Sequence, residues 1–303
     1  MGKIHRRQFT STTLATVGLS VLGQSLSAEE QPQAKLPTVR WGKHEITRVL
    51  VGHNPLKATS HFSRELDTEM RDYFNDGHVH GRQLLRRCQQ LGINACQMGG
   101  TNMEELLQAH YADGGSLQWI ATFYSAPGKG KEELARILKM RPRPIGAQHY
   151  GGTSDALMRQ GKLDQALDTL KMLRDAGLLV GLCSHNHEVI DYAADKGWDV
   201  DFYQCCFYHS SDGLNRKDGS EVFEESARRA MVKTIQQVSK PCIAYKVLGA
   251  NRHCQTPEGV ERALRFALQN IKPTDVVLLG MWQKYKDQAA ENVGYVRKAL
   301  GVV

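Results

Sequence analysis

The chain has 303 residues, of which 41% are apolar and 23% are charged, and its formal net charge is +7. This composition is typical of a globular protein and excludes a disordered or fibrous chain. Lys and Arg form no cluster beyond the first 27 residues, and no later segment reaches ~18 consecutive apolar residues. We therefore expect no nucleic-acid partner and, after processing, no membrane.

The N-terminus has the organisation of an export signal. Arg6 and Arg7 precede Phe9, a weakly apolar stretch and a run of small residues. Such an order is typical of a secretory signal, and the paired arginines resemble the bacterial twin-arginine signal. We predict export by the twin-arginine machinery and a periplasmic or secreted location. The expected segments are a signal peptide at 1–27, a linker at 28–37 and a single domain at 38–303.

Beyond the linker, short apolar runs rich in β-formers alternate with stretches that have helical spacing. The helical stretches fall near 78–90, 102–112, 130–140, 161–176, 187–196, 220–238, 257–270 and 284–299. The predicted strands are Arg48–His53, Ile93–Met98, Leu117–Tyr124, Pro144–His149, Leu178–Ser184, Val200–Tyr208, Cys242–Lys246 and Asp275–Gly280.

Eight such units predict an α/β protein with a (β/α)8 TIM barrel. Continuous apolar strands with short connections are typical of parallel sheets that are covered on both faces. The alternative is an open nucleotide-binding sheet, but no GxGxxG follows the first strand. Ahead of that strand, Thr38–Trp41 and Glu45–Thr47 flank Gly42-Lys43, and we predict an N-terminal hairpin that closes the barrel bottom.

In a (β/α)8 barrel the functional residues gather at the carboxyl ends of the strands, where the βα loops begin. The predicted strand ends carry His53, Gln97, Tyr124, His149, Tyr150, His185, His209 and Lys246. Imidazoles from neighbouring strand ends can converge on one ion. A divalent metal bound by His149, His185 and His209 is therefore an alternative to an organic cofactor.

Several segments resemble the aldo/keto reductases, in order along nearly the whole predicted domain. The resemblance begins with Gly92-Ile93-Asn94 and continues through Ile145–His149 and Val180–Asn186 to Ile243–Arg252 and Glu291-Asn292. It implies a (β/α)8 barrel and an NADP- or NAD-linked oxidoreductase that acts on a small carbonyl or sugar-like substrate.

The catalytic tetrad of that family is degenerate in this sequence. Its Asp position falls on Gln97, its Tyr position near Asn102 and its Lys position on Phe123, whereas the His position is kept as His149. Carbonyl reduction needs a proton donor, and Tyr124 or Tyr150 could replace the lost Tyr. The expected catalytic set is therefore His149, Tyr124, Gln97 and Tyr150.

The resemblance also implies a set of cofactor-binding residues. Ser184 and Gln204 correspond to positions that hold the nicotinamide carboxamide, and Lys246 and Arg252 lie in the loop that faces the pyrophosphate. Lys284 would meet a 2′-phosphate, and Asn292 lies on the adenine side. Two other functions stay open: a non-redox lyase, isomerase or hydrolase of carbohydrate-like substrates, with or without a metal, and an inactive small-molecule-binding protein.

Overall fold

A computed structural model describes residues 35–124, 128–208 and 223–302, which belong to one compact unit, Ala34–Val303. The predicted signal peptide at 1–27 and most of the linker lie outside the described residues. None of the helices in the described part is both long enough and apolar enough to cross a membrane.

Eight parallel strands form a closed barrel, which confirms the predicted (β/α)8 fold. Each buried apolar run of the sequence forms one strand, and neighbouring strands in the chain are neighbours in the barrel. The strands are β3 (Val49–Gly52), β4 (Ala95–Met98), β5 (Gln118–Phe123), β6 (Gly146–His149), β7 (Leu179–Ser184), β8 (Phe202–Cys206), β9 (Cys242–Tyr245) and β10 (Val276–Gly280). The barrel closes where β10 pairs with β3.

Ten α-helices are present in the described residues, two more than the periodicity predicts. Those that match predicted stretches are α2 (Val79–Gln90), α3 (Thr101–Ala112), α4 (Gly130–Lys139), α6 (Ala166–Asp175), α7 (His187–Asp195), α8 (Glu225–Gln237), α9 (Pro257–Asn270) and α10 (Gln288–Ala299). The unexpected helices are α1 (Arg64–Phe74) and α5 (Gly151–Arg159). Only Met70 of α1 is buried, and α5 begins with two glycines, so neither has the sequence pattern of a core helix.

Local signals set the helix ends. The Thr256 hydroxyl accepts a hydrogen bond from the Gly259 N–H ahead of Pro257, as an N-cap residue does. After α6, Gly177 has a φ of 73°, a left-handed conformation that costs glycine little.

The N-terminal hairpin closes the bottom of the barrel, as predicted. Strands β1 (Thr38–Trp41) and β2 (His44–Thr47) pair antiparallel. The Trp41 ring stacks on Phe202 with centroids 5.2 Å apart, and its indole N–H donates to the Thr274 carbonyl oxygen. Phe202 fits inside because Gly181 has no side chain; a Cβ there would lie 2.3 Å from the Phe202 ring.

Phe202→Ala is expected to lower the free energy of unfolding by about 3–5 kcal/mol, because it removes a fully buried ring and leaves a cavity under Trp41. Urea unfolding followed by circular dichroism measures this loss. Val79→Ala, at a side chain that is 41% exposed, serves as the control and should change stability by about 0.5 kcal/mol or less. Equal stability of the two variants would contradict the packing described here.

Candidate active site

A cavity of about 510 Å³ opens at the carboxyl ends of the barrel strands. It is lined by residues from strands on all sides of the barrel and by the loops after β3, β9 and β10. Lys246, Lys286 and Asn292 also line the cavity, and we call the part that they line the groove. Three separate loops therefore contribute to the cavity, and it lies at the end of the barrel where barrel enzymes have their active sites.

The floor of the cavity is polar and carries no formal charge. It is formed by Gln97, Thr122, Gln148 and Gln204, all less than 5% exposed. The Gln97 amide donates to the Thr122 hydroxyl. The side-chain oxygens of Gln148 and Gln204 are buried and have no hydrogen-bond partner among the described residues. These two buried oxygens can therefore accept hydrogen bonds from a ligand or from water in the cavity.

One wall carries a phenol, an ammonium group and an imidazole in contact. The Lys57 Nζ donates to the Tyr124 hydroxyl at 2.8 Å, and His53 Nε2 lies 3.5 Å from the same oxygen. His53 Nδ1 lies 3.1 Å from the Gln97 carbonyl oxygen, which can only accept, so Nδ1 carries the proton and Nε2 does not. Sequence reasoning missed Lys57, which lies in the loop after β3.

Burial controls the ionisation of these three groups. It raises the pKa of Tyr124 to about 12, with a further contribution from Glu133. It lowers the pKa of Lys57, and burial together with the charge of Lys57 lowers the pKa of His53 to about 4. Near neutral pH, Tyr124 is therefore a phenol and His53 a neutral imidazole.

The wall beside β7 carries a hydrogen-bonded carboxylate and imidazole. Asp155 of α5 accepts from His185 Nδ1 at 2.7 Å, from the His185 backbone N–H at 3.2 Å and from the Ser184 hydroxyl. His185 lines the cavity, whereas Asp155 lies behind it. Sequence reasoning missed Asp155 because α5 was not predicted.

Of the expected catalytic residues, Tyr124, Gln97 and Tyr150 line the cavity, and His149 does not. Strand residues alternate between the two faces of a sheet, and in β6 the inward position belongs to Gln148. His149 points toward the helices, is 2% exposed, and pairs through Nδ1 with the Ser154 hydroxyl at 2.8 Å. The expectation that His149 faces a substrate is therefore corrected, and Gln148 takes the cavity position.

Of the expected cofactor-binding residues, Gln204, Lys246 and Asn292 line the cavity. The other three do not line the cavity, contrary to expectation, and their side chains contact other protein groups. Ser184 donates to Asp155, Arg252 donates to backbone carbonyl oxygens and lies over the Phe223 ring, and Lys284 pairs with Glu69. Lys286, two residues after Lys284, lines the groove instead.

The loop after β9 is strained where it lines the cavity. Lys246, Ala250 and Asn251 have φ values of 56°, 45° and 73°, in the left-handed region that non-glycine residues rarely adopt. Strain of about 1 kcal/mol or more per residue persists where the surrounding structure requires it, commonly at ligand clamps.

Of the three histidines in the metal alternative, His149 and His185 are described by the structure, and His209 lies outside the described residues. His149 and His185 face different directions, the first toward Ser154 and the second toward Asp155. Within 35–124, 128–208 and 223–302, no group of three or more His, Cys, Asp or Glu side chains is placed to hold a metal ion.

No protein-family model matches the sequence, and no curated protein shows significant sequence similarity to it. Among solved structures, the chain is similar to an aldo/keto reductase, the glycerol dehydrogenase AKR11B4 from Gluconobacter oxydans. The TM-score is 0.55 and the identity 11%, over 88% of this chain and 94% of that chain.

Two further barrels are similar at a TM-score of 0.46 and 13% identity. They are dihydropteroate synthase from Xanthomonas albilineans, over 89% of this chain and 99% of that one, and an archaeal fructose-1,6-bisphosphate aldolase, over 84% and 93%. At 11% identity, the similarity to the glycerol dehydrogenase shows the fold alone.

Proposed function

We propose that the protein is an NADP- or NAD-linked oxidoreductase that interconverts a small polyhydroxylated carbonyl compound and its alcohol. The observation that carries this proposal is the contact of the Tyr124 hydroxyl with Lys57 Nζ at 2.8 Å, with His53 Nε2 nearby, in the wall of the cavity. A phenol that is protonated near neutral pH can donate to a developing alkoxide, which is a stronger base than a phenolate, and the adjacent ammonium group would stabilise the phenolate that forms. The aldo/keto-reductase resemblance of the sequence supports the same reaction class.

The residues of the cavity fit a nicotinamide dinucleotide. The buried Gln204 oxygen without a partner suits the N–H of a carboxamide. The Lys246 ammonium and the strained loop beside it suit phosphates, and Asn292 could hydrogen-bond a base at the far end of the groove. Once bound, such a cofactor would supply or accept a hydride.

Tyr124 transfers the proton in this proposal, and Lys57 and His53 set its surroundings. Tyr124 donates its phenolic proton to the carbonyl oxygen of the substrate as that oxygen gains negative charge. The O–H electron pair stays on the phenolate, which the adjacent Lys57 ammonium stabilises, and a proton from water then restores the phenol. His53 stays neutral, so it does not repel the positive charge of Lys57. Alcohol oxidation uses the same groups in reverse.

The floor and the Tyr150 ring beside Tyr124 favour a neutral substrate with several hydroxyl groups. Amide and hydroxyl side chains at Gln97, Thr122 and Gln148 can exchange hydrogen bonds with alcohols but cannot neutralise a carboxylate or phosphate. Tyr150 packs against Tyr124 with ring centroids 4.9 Å apart and is 38% exposed. An exposed aromatic face at the cavity edge suits the C–H face of a sugar or polyol.

Export remains part of the proposal. Arg6, Arg7 and Phe9 support twin-arginine transport, a route that carries proteins after they have folded. A chain that must hold a dinucleotide outside the cytoplasm would use that route, since the cofactor could be bound before export. No nucleic-acid or membrane partner is proposed for the mature protein.

Titration with NADPH and with NADH, followed by calorimetry and by Trp282 fluorescence, tests the proposal, since Trp282 lines the cavity. We expect saturable binding of one dinucleotide. Gln204→Leu should raise the Kd about tenfold, because it removes one hydrogen bond to the carboxamide. Gln236→Leu, which removes a surface glutamine that donates to the Asn270 carbonyl oxygen, should leave the Kd unchanged. No binding of either cofactor at millimolar concentration would rule out the proposed function.

A further inference from the structure

The Asp155–His185 pair is a polar feature of the cavity that the proposed redox step does not use. The Asp155 carboxylate is held by three donors: the His185 ring, the His185 backbone N–H and the Ser184 hydroxyl. Burial alone would raise the pKa of Asp155, but the contacts of its carboxylate with His185 and Ser184 outweigh burial, and the net pKa is lowered. Asp155 is therefore an anion with a fixed position.

This anion determines which nitrogen of His185 is basic. An ionised carboxylate only accepts hydrogen bonds, so His185 Nδ1 carries a proton, and in the neutral imidazole Nε2 is then the basic nitrogen. The imidazole is held between a buried carboxylate on one side and the cavity on the other. Such an arrangement orients an imidazole as a general base and stabilises the imidazolium that forms after proton transfer.

Tyr150 and Gly151 connect this pair to the Tyr124 cluster, which is Tyr124 with Lys57 and His53. Tyr150 contacts the Tyr124 ring, and the next residue, Gly151, lies against Cys183 and His185. A Cβ on Gly151 would lie 2.9 Å from Cys183 Sγ, so glycine lets this backbone lie against the end of β7, and it would lie 3.4 Å from His185 Cε1, an ordinary contact distance. Two consecutive residues thus connect the two polar walls.

We infer that His185, oriented by Asp155, is a second acid–base centre that gives the site a cofactor-independent activity: proton exchange at the carbon next to the carbonyl of a hydroxy-ketone. The inference rests on the proposed function for one point, the binding of the carbonyl oxygen at Tyr124. His185 Nε2 takes the proton from the α-carbon, the C–H pair forms the C=C bond of the enol, and the C=O π pair moves to the oxygen, which takes the Tyr124 proton. The proton on His185 Nε2 exchanges with solvent, and the reverse transfers then restore the ketone with a solvent hydrogen on the α-carbon. No oxidant or reductant is consumed.

Deuterium exchange tests this activity directly. The purified chain, without cofactor, is incubated with hydroxyacetone or dihydroxyacetone in heavy water, and loss of the α-proton signal is followed by NMR. We expect exchange about 10²-fold above the buffer rate. His185→Gln should return the rate to that of buffer. His187→Gln is the matched control, because His187 pairs with Asp191 at 3.1 Å on α7 and does not line the cavity; it should exchange like the wild type.

Asp155 acts as a positioning residue, and its role has a separate readout. Asp155→Asn should slow exchange about tenfold or more. It should also shift the His185 tautomer from Nδ1–H toward Nε2–H, which long-range ¹⁵N correlation spectra report. A variant that only loosened the fold would not produce that change.

The outcomes separate this inference from the proposed function. Wild-type exchange that disappears in His185→Gln supports it, whether or not a dinucleotide binds. Exchange at the buffer rate overturns it, even when NADPH-dependent reduction of the same ketone is measured. Exchange that persists in His185→Gln also overturns it, because the base must then be another group.

Discussion

Tyr124→Phe is expected to lower kcat for the cofactor-dependent reduction of a hydroxy-ketone by about 10³-fold. The substitution removes the proton donor and the acceptor of the Lys57 hydrogen bond, while the ring that packs against Tyr150 remains. Because the lost interaction acts on the developing alkoxide, KM and the cofactor Kd should change little. Steady-state kinetics with NADPH or NADH measure the effect.

Tyr192→Phe is the matched control for this variant. Its hydroxyl donates to Asp164 on the outside of the barrel, so its loss should leave kcat unchanged. Retention of more than about a tenth of wild-type kcat in Tyr124→Phe would show that another group donates the proton.

Lys57→Met is expected to change the pH dependence of the reaction. Loss of the ammonium group destabilises the phenolate, so the pKa of Tyr124 should rise beyond its already raised value. In the direction of alcohol oxidation the phenolate must accept a proton, and the pH–rate profile should therefore move to higher pH. Lys171→Met removes a surface lysine paired with Asp175 and should leave the profile unchanged.

The barrel could be predicted because its signals are local. Each strand is a short apolar run between helical stretches, and continuous burial on both faces indicates a parallel sheet. The hairpin could be predicted because Gly42 lies between two β-rich runs. In the structure Gly42 has a φ of 59°, as a tight turn requires. The missed helices lack these signals: α5 opens with Gly151-Gly152, and α1 presents mostly polar residues.

It was harder to predict which side chains at the strand ends point into the barrel, because a shift of one residue along the strand reverses the answer. Gln97 and Gln204 were assigned to the inner face and lie there. At β6 and β7, however, the expected His149 and Ser184 face the helices, and the preceding residues Gln148 and Cys183 line the cavity. A shift by one residue turns a side chain to the other face, and apolar runs buried on both faces carry no pattern that distinguishes the two.

The Tyr124 cluster could not be predicted at all from spacing. Lys57 and Tyr124 are 67 positions apart, and Lys57 lies on a short 3-10 turn, Pro55–Lys57, that follows β3. Neither the strand rule nor the degenerate tetrad identifies that turn as a source of a cation. The tetrad position expected for a lysine holds Phe123, which is buried in the hydrophobic core shared with the helices. The ammonium group that contacts the next residue, Tyr124, comes instead from the loop after β3.

Two buried histidines should make the protein sensitive to mild acid. Burial lowers the pKa of His53 and of His149 from an ordinary value of 6.5 to about 4 in the folded chain. Between these values the unfolded chain binds a proton at each site and the folded chain does not, so stability is lost as the pH falls from about 6.5 toward 4. We expect each histidine to cost about 2 kcal/mol between pH 7 and pH 5.

Urea unfolding at pH 7 and pH 5 measures this loss, and variants separate it from the titration of carboxylates. His149→Asn keeps a donor for Ser154 but cannot be protonated, so its loss between the two pH values should be smaller than that of the wild type by about 2 kcal/mol. His53→Asn should show a similar reduction. The double variant should show the sum of both reductions, because His149 lies on β6 and His53 just after β3, and the two share no hydrogen-bond partner among the described residues. Identical losses in the wild type and His149→Asn would mean that the His149 imidazole is already able to take up a proton in the folded state.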